Sequence, residues 1–257
     1  MSNPLFFTAP GTLDQQVPGS AFVLEGAEAR HAVTVKRLAV GDAVDIADGA
    51  GKRLTGTVTA VAPGELTVEC GDMVDEPRPG IRLVLVQALA KGDRDELAAE
   101  TATELGIDAV IPWQAERSIV RWKAERAAKA HAKWQSVVTA AAKQARRAWI
   151  PEVRAAVDST GLQAAVAAAD LAVILHEDAV RPLRHVLESW LDRSGPVGAG
   201  PREVLLIVGP EGGISPREVT RLCDAGAVTA LLGHHVLRSS TAGPAATVLA
   251  SDILGRW

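Results

Sequence analysis

The sequence predicts an α/β protein, a mostly parallel sheet with helices on its faces, preceded by a small all-β domain. Three observations carry this expectation. From Ala21 to about Asp75 the runs AFVLEG, DAVDIADG, KRLTGTVTAV and GELTVECGD are short, rich in β-branched residues and separated by Gly, Asp and Pro turn signals, a spacing that suits a small barrel or sandwich. Beyond residue 80, apolar strand-like runs alternate with helical segments, the pattern of parallel strands joined by crossover helices. Between the two lies DEPRPG, Asp75 to Gly80, with two prolines and a glycine, the best linker in the chain. The expected domains are therefore 1–75 and 76–257.

The elements follow in order. A helix is expected within the β region, near Glu28 to Leu38. IRLVLVQA reads as a buried strand, and Asp93 to Leu105 as a helix, with Asp93 and Glu96 spaced as a capping box and Gly106 as its stop. IDAVIP is a strand, and Arg121 to Trp149 a long, basic, alanine-rich helix. LAVIL is a strand, followed by a helix from Arg181 to Asp192. SGPVGAGP, Ser194 to Pro201, reads as a flexible surface loop whose Gly-Ala-Gly follows polar residues and not a strand. VLLIV is a strand. Ser215-Pro216-Arg217-Glu218 then opens a helix that ends near Gly226, with Ser as cap, Pro in the first turn and Glu closing the box. VTALL is the last strand, and about Thr241 to Leu254 the last helix.

Composition narrows the function classes. With 47% hydrophobic and 23% charged residues the chain is an ordinary folded protein. Its longest apolar stretches, Leu83 to Ala90 and Val204 to Val208, are strand-sized, so no membrane span is expected. MSNPLFFTAPG lacks the basic start and long apolar middle of a signal peptide. Cys70 and Cys223 stand far apart without a CxxC or His companion, which gives no basis for a disulfide or a metal site and makes a reducing cytoplasm the expected location. The net charge of −4 hides an asymmetry: Arg117 to Arg154 holds ten Lys/Arg against two acids, a net +8, and leaves −12 for the rest. Such a strip is either a phosphate-gripping surface on an acidic body or a solvated helix face.

Ligands of open parallel sheets bind beyond the carboxyl ends of the strands. Three loops qualify: Gly209-Pro210-Glu211-Gly212-Gly213 after VLLIV, Gly233 to Gly243 after VTALL, and His176-Glu177-Asp178 after LAVIL. GPEGGIS is neither GxxxxGK[ST] nor GxGxxG, and an acid among glycines suits a cationic or hydroxyl-bearing ligand better than a phosphate. S-adenosylmethionine, with its sulfonium and ammonium, is such a ligand. On residue type alone, a turn that merely joins strand to helix stands beside this reading.

VGPEGGISPREV, then a strand, then LGHHVLRSSTAGPAA resembles the paired signature of the SPOUT methyltransferases, specifically the RsmE branch, which methylates N3 of a uridine in 16S ribosomal RNA. LVLVQALAKGDRDELAAETATELG, PWQAERSIVRW and AAKQARRAWIPEV fit the same branch, and HAVTVKRLAVGD resembles its small PUA-like barrel. The resemblance covers nearly the whole chain. It implies a C-terminal domain with a deep trefoil knot, a rare exception to unthreaded chains, and a homodimer with active sites near the interface; no metal is expected, since a sulfonium supplies the electrophile and the sequence has no His/Cys/Asp ligand cluster. It also implies S-adenosylmethionine bound by the knot loops, here Leu175, His176 and Glu177, Gly209 to Gly213, Leu232 and Gly233, and Leu237, Arg238, Ser239, Thr241 and Ala242. One letter departs from the pattern: Ser240 stands where the branch commonly has an acid.

Roles follow as expectations. Arg238 is expected to hold the uracil carbonyl or a phosphate and stabilise the developing anion, with a surface or dimer salt bridge as its alternative. Glu211 is expected either to receive the cofactor's ammonium or assist proton removal, or to stabilise the helix that follows. His234 and His235 resemble bases but the signature does not demand histidine there. RNA is expected to be gripped by Lys143, Arg146 and Arg147, by Arg117 and Arg121, and in the barrel by Arg30, His31, Lys36 and Arg37. Trp113, Trp122, Trp134 and Trp149 serve either RNA stacking or the core, the core being the commoner use. The expected partner is 16S rRNA or the small ribosomal subunit. The alternatives are another RNA nucleotide, a non-catalytic assembly factor that kept the fold, or a nucleotide-binding enzyme using GPEGG for phosphate.

Overall fold

The structure is a computed structural model that describes residues 3–195 and 201–257; the Gly-Ala-Gly of the expected surface loop lies outside the described residues. The chain forms two compact units. One comprises Met1–Arg78 together with Ala142–Ile150, the other Pro79–Ala141 together with Pro151–Trp257.

The first unit is built on β1 (Leu5–Phe7), β2 (Ala21–Glu25), β3 (Ala43–Ala47), β4 (Lys52–Ala62) and β5 (Glu65–Asp75), in the order β1-β3-β4-β5-β2. All neighbours are antiparallel except β1 and β3. Alternation along the strands buries Phe22 and Leu24, Leu54 and Val58, and Leu66, Val68 and Cys70 on one face, where they meet Phe6, Leu13 and Ile46. The helix expected at Glu28 to Leu38 is α1 (Gly26–Arg30), which passes into a π-helical turn at His31–Val35. β1 had no strand signal in the sequence.

Residues 142–150 carry the end of the long helix, and they pack within this first unit: Ala142 and Ala148 join Leu5, Phe7 and Ala47 in a buried cluster. The helix, α3 (Ala124–Gln144), is shorter than the expected Arg121 to Trp149. It stops because Arg146 turns left-handed at φ 55, and the amides of Arg146 and Arg147 close back onto the carbonyls of Lys143 and Ala142. Arg53 donates to the carbonyl of Arg146 at 2.7 Å and so fixes this non-glycine turn. The basic KQARR run therefore belongs to the barrel's unit, although it lies far beyond residue 75.

The second unit holds a parallel sheet of β6 (Ile81–Ala88), β7 (Ala109–Gln114), β8 (Glu152–Val153), β10 (Leu171–Leu175), β11 (Arg202–Val208) and β12 (Val228–Ala230), ordered β12-β10-β11-β6-β7-β8, with β9 (Val157–Asp158) also pairing β7. Helices α2 (Arg94–Glu104), α4 (Ser159–Ala168), α5 (Leu183–Ser194), α6 (Pro216–Asp224) and α7 (Ser239–Ile253) complete it. After β12 at the sheet edge the chain returns to seat α7 against β11, β6 and α2. Gly243 in α7 permits that seating, since a Cβ there would lie 2.8 Å from Leu85 Cδ1. Trp113 and Trp134 are buried and Trp122 packs edge-on to Trp134, so these tryptophans serve the core.

Local signals fared unevenly. The Ser215 capping box is present in full. The one expected at Asp93 is not: Asp93 sits at φ 58 without a side-chain cap, outside the extended backbone an N-cap needs. Asp95 takes over, its carboxylate accepting from the amides of Ala90 (3.1 Å) and Glu96 (2.9 Å). β8, β9 and α4 were not anticipated; α4 starts at Asp158, whose carboxylate accepts from Thr160 and Gly161. Among the described residues, no helix is long and apolar enough to cross a membrane.

Candidate active site

The strand order brings the carboxyl ends of β10, β11 and β12 side by side, so the loops leaving them converge. They enclose a cavity of about 960 Å³, at the large end of the range for small-molecule sites, roughly 300–1,000 Å³. Leu175, His176 and Glu177 line it from the first loop, Gly209 to Gly213 from the second, and Leu232 and Gly233 from the third. The start of α7 adds Leu237, Arg238, Ser239 and Ala242. The structure thus brings together every residue that the resemblance assigned to cofactor binding except Thr241. The exception has a helical cause. α7 begins at Ser239 and not at Thr241, so Ser239 and Ala242, three apart, share its inner face while Thr241 is exposed. Ser240 is also absent from the wall.

The glycine loop is folded tightly on itself. The amide of Gly213, at φ +71, donates to the carbonyl of Pro210 at 2.9 Å. A Cβ on Gly209 would come within 2.6 Å of Ile214 Cγ1, and Ile214 is anchored in the core. Behind the loop lies a buried carboxylate. Glu218 is fully buried and accepts from the amides of Glu116 (2.8 Å) and Ser215 (3.1 Å) and from the Ser159 hydroxyl (2.5 Å). Ser215 in turn donates to Glu116 at 2.7 Å. These bonds fasten the start of α6 to the segment holding Arg117.

Charged groups at the cavity differ in their freedom. Glu211 is engaged: its carboxylate pairs with Arg94 at 3.0 Å and accepts from the Lys91 amide at 3.2 Å. The helix that follows is capped by Ser215 and Glu218 instead, so the expected alternative of Glu211 as that helix's stabiliser is replaced by a cross-link to the start of α2. Arg117 lines the cavity and donates to the Gly212 carbonyl at 3.0 Å. Arg238 is exposed on the wall, and its guanidinium makes no hydrogen bond or ion pair among the described residues. His176 Nδ1 accepts from the Asp178 amide at 3.2 Å, and His235 lines the cavity while His234 does not. Burial pushes the Asp95 carboxyl above the usual aspartate range, against the pull of the Ala90 and Glu96 amides.

The expected RNA-gripping residues are split between the units. Arg117 and Arg121 belong to the second, where Arg121 donates to the Glu116 carbonyl. Arg30, His31, Lys36, Arg37, Lys143, Arg146 and Arg147 belong to the first. Arg30, Lys36 and Arg37 are exposed. The structure revises the expectation for Lys143. Its ammonium pairs with Glu28 at 2.7 Å, contacts His31 Nδ1 at 3.0 Å and lies 4.7 Å over the Phe6 ring. It is a packing cation, because a half-buried ammonium is stable only with such partners. His31 is drawn into the same cluster, and burial followed by the Lys143 charge lowers its pKa.

Residues 76–251 match the model of an RNA methyltransferase domain, and residues 24–69 match that of an RNA methyltransferase PUA domain. This chain belongs to the RNA methyltransferase family. The methyltransferase is 36% identical over 243 residues to ribosomal RNA small subunit methyltransferase E of Mycobacterium bovis, covering 93% of this chain and 89% of that protein. It is 29% identical over 232 residues to the Bacillus subtilis protein of the same name, covering 90% of each. Among solved structures, a Neisseria gonorrhoeae ribosomal RNA small subunit methyltransferase E bound to S-adenosyl methionine superposes with a TM-score of 0.78 at 25% identity, covering 98% of both chains. A Legionella pneumophila putative methyltransferase with bound cofactor SAM superposes at 0.80 with 27% identity, again over 98% of both.

Three residues on or behind the cavity wall stand outside the sequence expectations for the site. In the sequence Glu218 reads only as a helix-capping residue. Arg94 carried no signal. Gln87 did carry one, a polar letter inside the apolar run IRLVLVQA, because a buried polar residue is the informative exception.

Proposed function

We propose that this RNA methyltransferase binds S-adenosylmethionine in the cavity at the ends of β10, β11 and β12 and methylates N3 of a specific uridine in 16S ribosomal RNA, working as a homodimer in the cytoplasm. The observation that carries the reading is the convergence of the three loops and the start of α7 on one cavity, with the guanidinium of Arg238, unpaired among the described residues, on its wall.

The residues fit the cofactor. The cavity is large enough, and its glycine loops let backbone groups approach a ligand closely. Among the described residues the amides of Leu232, Gly233 and Leu237 donate to no protein acceptor, which leaves them for the ligand's acceptors. S-adenosylmethionine supplies an electrophilic methyl group, so the chain must present the nucleophile. The imide of uracil is a weak acid, and its nitrogen reacts once the developing negative charge on the ring is stabilised. Arg238 is the group for that task, as a fixed cation with donors free to meet a uracil carbonyl. Glu211, tied to Arg94 and the Lys91 amide, holds the glycine loop in place. Positioning supplies much of the acceleration, and the uridine must leave any stack for N3 to be reached. Exposed Arg30, Lys36 and Arg37 give phosphate contacts that set affinity and register. Val236 at 78% and Leu237 at 39% exposure, both on the cavity wall, give an apolar surface for a second copy of the chain to cover.

Labelled methyl transfer to small ribosomal subunits, naked 16S RNA and tRNA, followed by nucleoside mass spectrometry, tests the substrate. The expected product is 3-methyluridine in 16S RNA; its absence from all three substrates overturns the assignment. Sedimentation should give twice the monomer mass.

A further inference from the structure

We infer that Gln87 is a positioning residue for the cavity, setting the direction of a hydrogen-bond relay that runs through Ser239 to the carbonyl of Gly209. The inference rests on the reading of the cavity as the S-adenosylmethionine site, and it concerns a residue that does not itself line the cavity.

Gln87 is the penultimate residue of β6, among Leu85, Val86 and Ala88, all fully buried, and is itself fully buried. Its Nε2 donates to the Ala88 carbonyl at 3.1 Å and to Ser239 Oγ at 2.8 Å. Its Oε1 is buried with no partner among the described residues. The carbonyl of Ala88 only accepts, so the atom facing it must be the amide nitrogen, which fixes the orientation of the amide. Both Nε2 protons are then spent, one on Ala88 and one on Ser239. A hydroxyl that accepts from an amide has one proton left to give. Ser239 gives it to the Gly209 carbonyl at 3.1 Å.

The direction is therefore imposed from Gln87 outwards: amide to hydroxyl to carbonyl. Its end point is the first residue of the GPEGG loop. Gly209 has no side chain to restrict its peptide planes, and Pro210 brings no N–H that could hold the loop from the other side. The relay fills that gap. It joins the end of β6, the start of α7 and the loop after β11, three segments remote in sequence, of which Ser239 and Gly209 lie on the cavity wall. An amide that leaves its own oxygen unpaired in an apolar strand is a stability liability. An apolar residue of the same length would avoid that liability but could not orient Ser239.

The variants Q87M, Q87E, S239A and the Q87M/S239A pair separate the possibilities. Q87M keeps the shape without a donor. Q87E keeps at most one donor, which the Ala88 carbonyl claims, and presents an acceptor to Ser239, whose proton would turn towards it and abandon Gly209. Calorimetric binding of S-adenosylmethionine and amide exchange of Gly213 in the ligand-free protein are the readouts, with Tm as a check on folding. Each single variant should bind the cofactor about tenfold more weakly, the loss of one hydrogen bond, and exchange Gly213 faster. The pair should bind no more weakly than S239A, because both changes break one relay. Wild-type affinity in Q87M, or losses that multiply in the pair, would overturn the inference. If wild type itself binds no S-adenosylmethionine, the proposed function falls, and unchanged Gly213 exchange in Q87M and S239A then overturns the relay on its own. Should Q87M not fold, S239A decides by the same two readouts.

Discussion

Replacing Glu218 with alanine perturbs the support of the cavity without touching its wall. Glu218 is fully buried and its carboxylate accepts from Ser215 N, Glu116 N and Ser159 Oγ. Ser215 is buried, so its amide loses its acceptor outright, at about 1–3 kcal/mol. Glu116 and Ser159 have access to water and recover part of their loss. Removal of an acid from the first turn of α6 adds about 0.3–1 kcal/mol, and the vacated volume adds more. The total is about 3–5 kcal/mol, in the upper range for breaking a buried hydrogen-bond network. At about 2–4 °C per kcal/mol for a domain of this size, the melting temperature of the α/β unit should fall by roughly 6–20 °C. Scanning calorimetry reads it. Ser215→Ala should cost only about 1 kcal/mol, as for a lost helix cap. The double variant should cost less than the sum, because Ser215 and Glu218 bond each other. A fall of less than about 2 °C for Glu218→Ala would refute the view that this carboxylate holds the loop's foundation.

Other outcomes are equally open to measurement. Arg238→Ala should lower single-turnover methylation by roughly 10²–10³, the usual loss of one anion-stabilising donor, while calorimetry shows cofactor binding largely intact; surviving activity would remove Arg238 from the chemistry. Charge reversal at Arg30, Lys36 and Arg37 should reduce the salt dependence of RNA binding by about 0.7 in log–log slope for each phosphate no longer neutralised, whereas Lys143→Ala should leave that slope alone and destabilise the barrel's unit. An unchanged slope in the first variant, or a reduced one in the second, contradicts the division. The folded-state pKa of His31 lies below the ordinary value of 6.5, so the unfolded chain binds the proton more readily. Stability of that unit should therefore be full above pH 6.5 and fall as the pH drops below it. His31→Gln should remove this component, and an identical pH profile in the variant would show that His31 is not its source.

Much of the site was legible in the letters because its chemistry is local. Glycines that permit a tight turn, the Ser-Pro-Arg-Glu start of α6 and the apolar strands before each loop are patterns among near neighbours, and residues a few positions apart must meet in any helix or turn. The resemblance of VGPEGGIS and LGHHVLRSSTAG to a known signature joined the two loops before any coordinates. The same letters did not reveal where α7 begins, and two positions of helical phase took Thr241 off the wall. They did not reveal that Asp93 adopts a left-handed backbone and leaves capping to Asp95.

Tertiary structure alone decided the partners. Lys143 reads as part of a solvated basic strip until the fold closes it onto Glu28, 115 positions earlier. Gln87 reads as an odd letter in a strand until it meets Ser239, 152 positions later. Glu211 reads as a free acid until Arg94 reaches it from 117 positions upstream. No periodicity encodes pairings at such separations. They arise when whole elements bury their apolar faces, and the charges and hydrogen bonds then pair with whatever that packing brings within reach. The sequence by itself determined which loops carry the function; packing determined which of their side chains remain free to perform it.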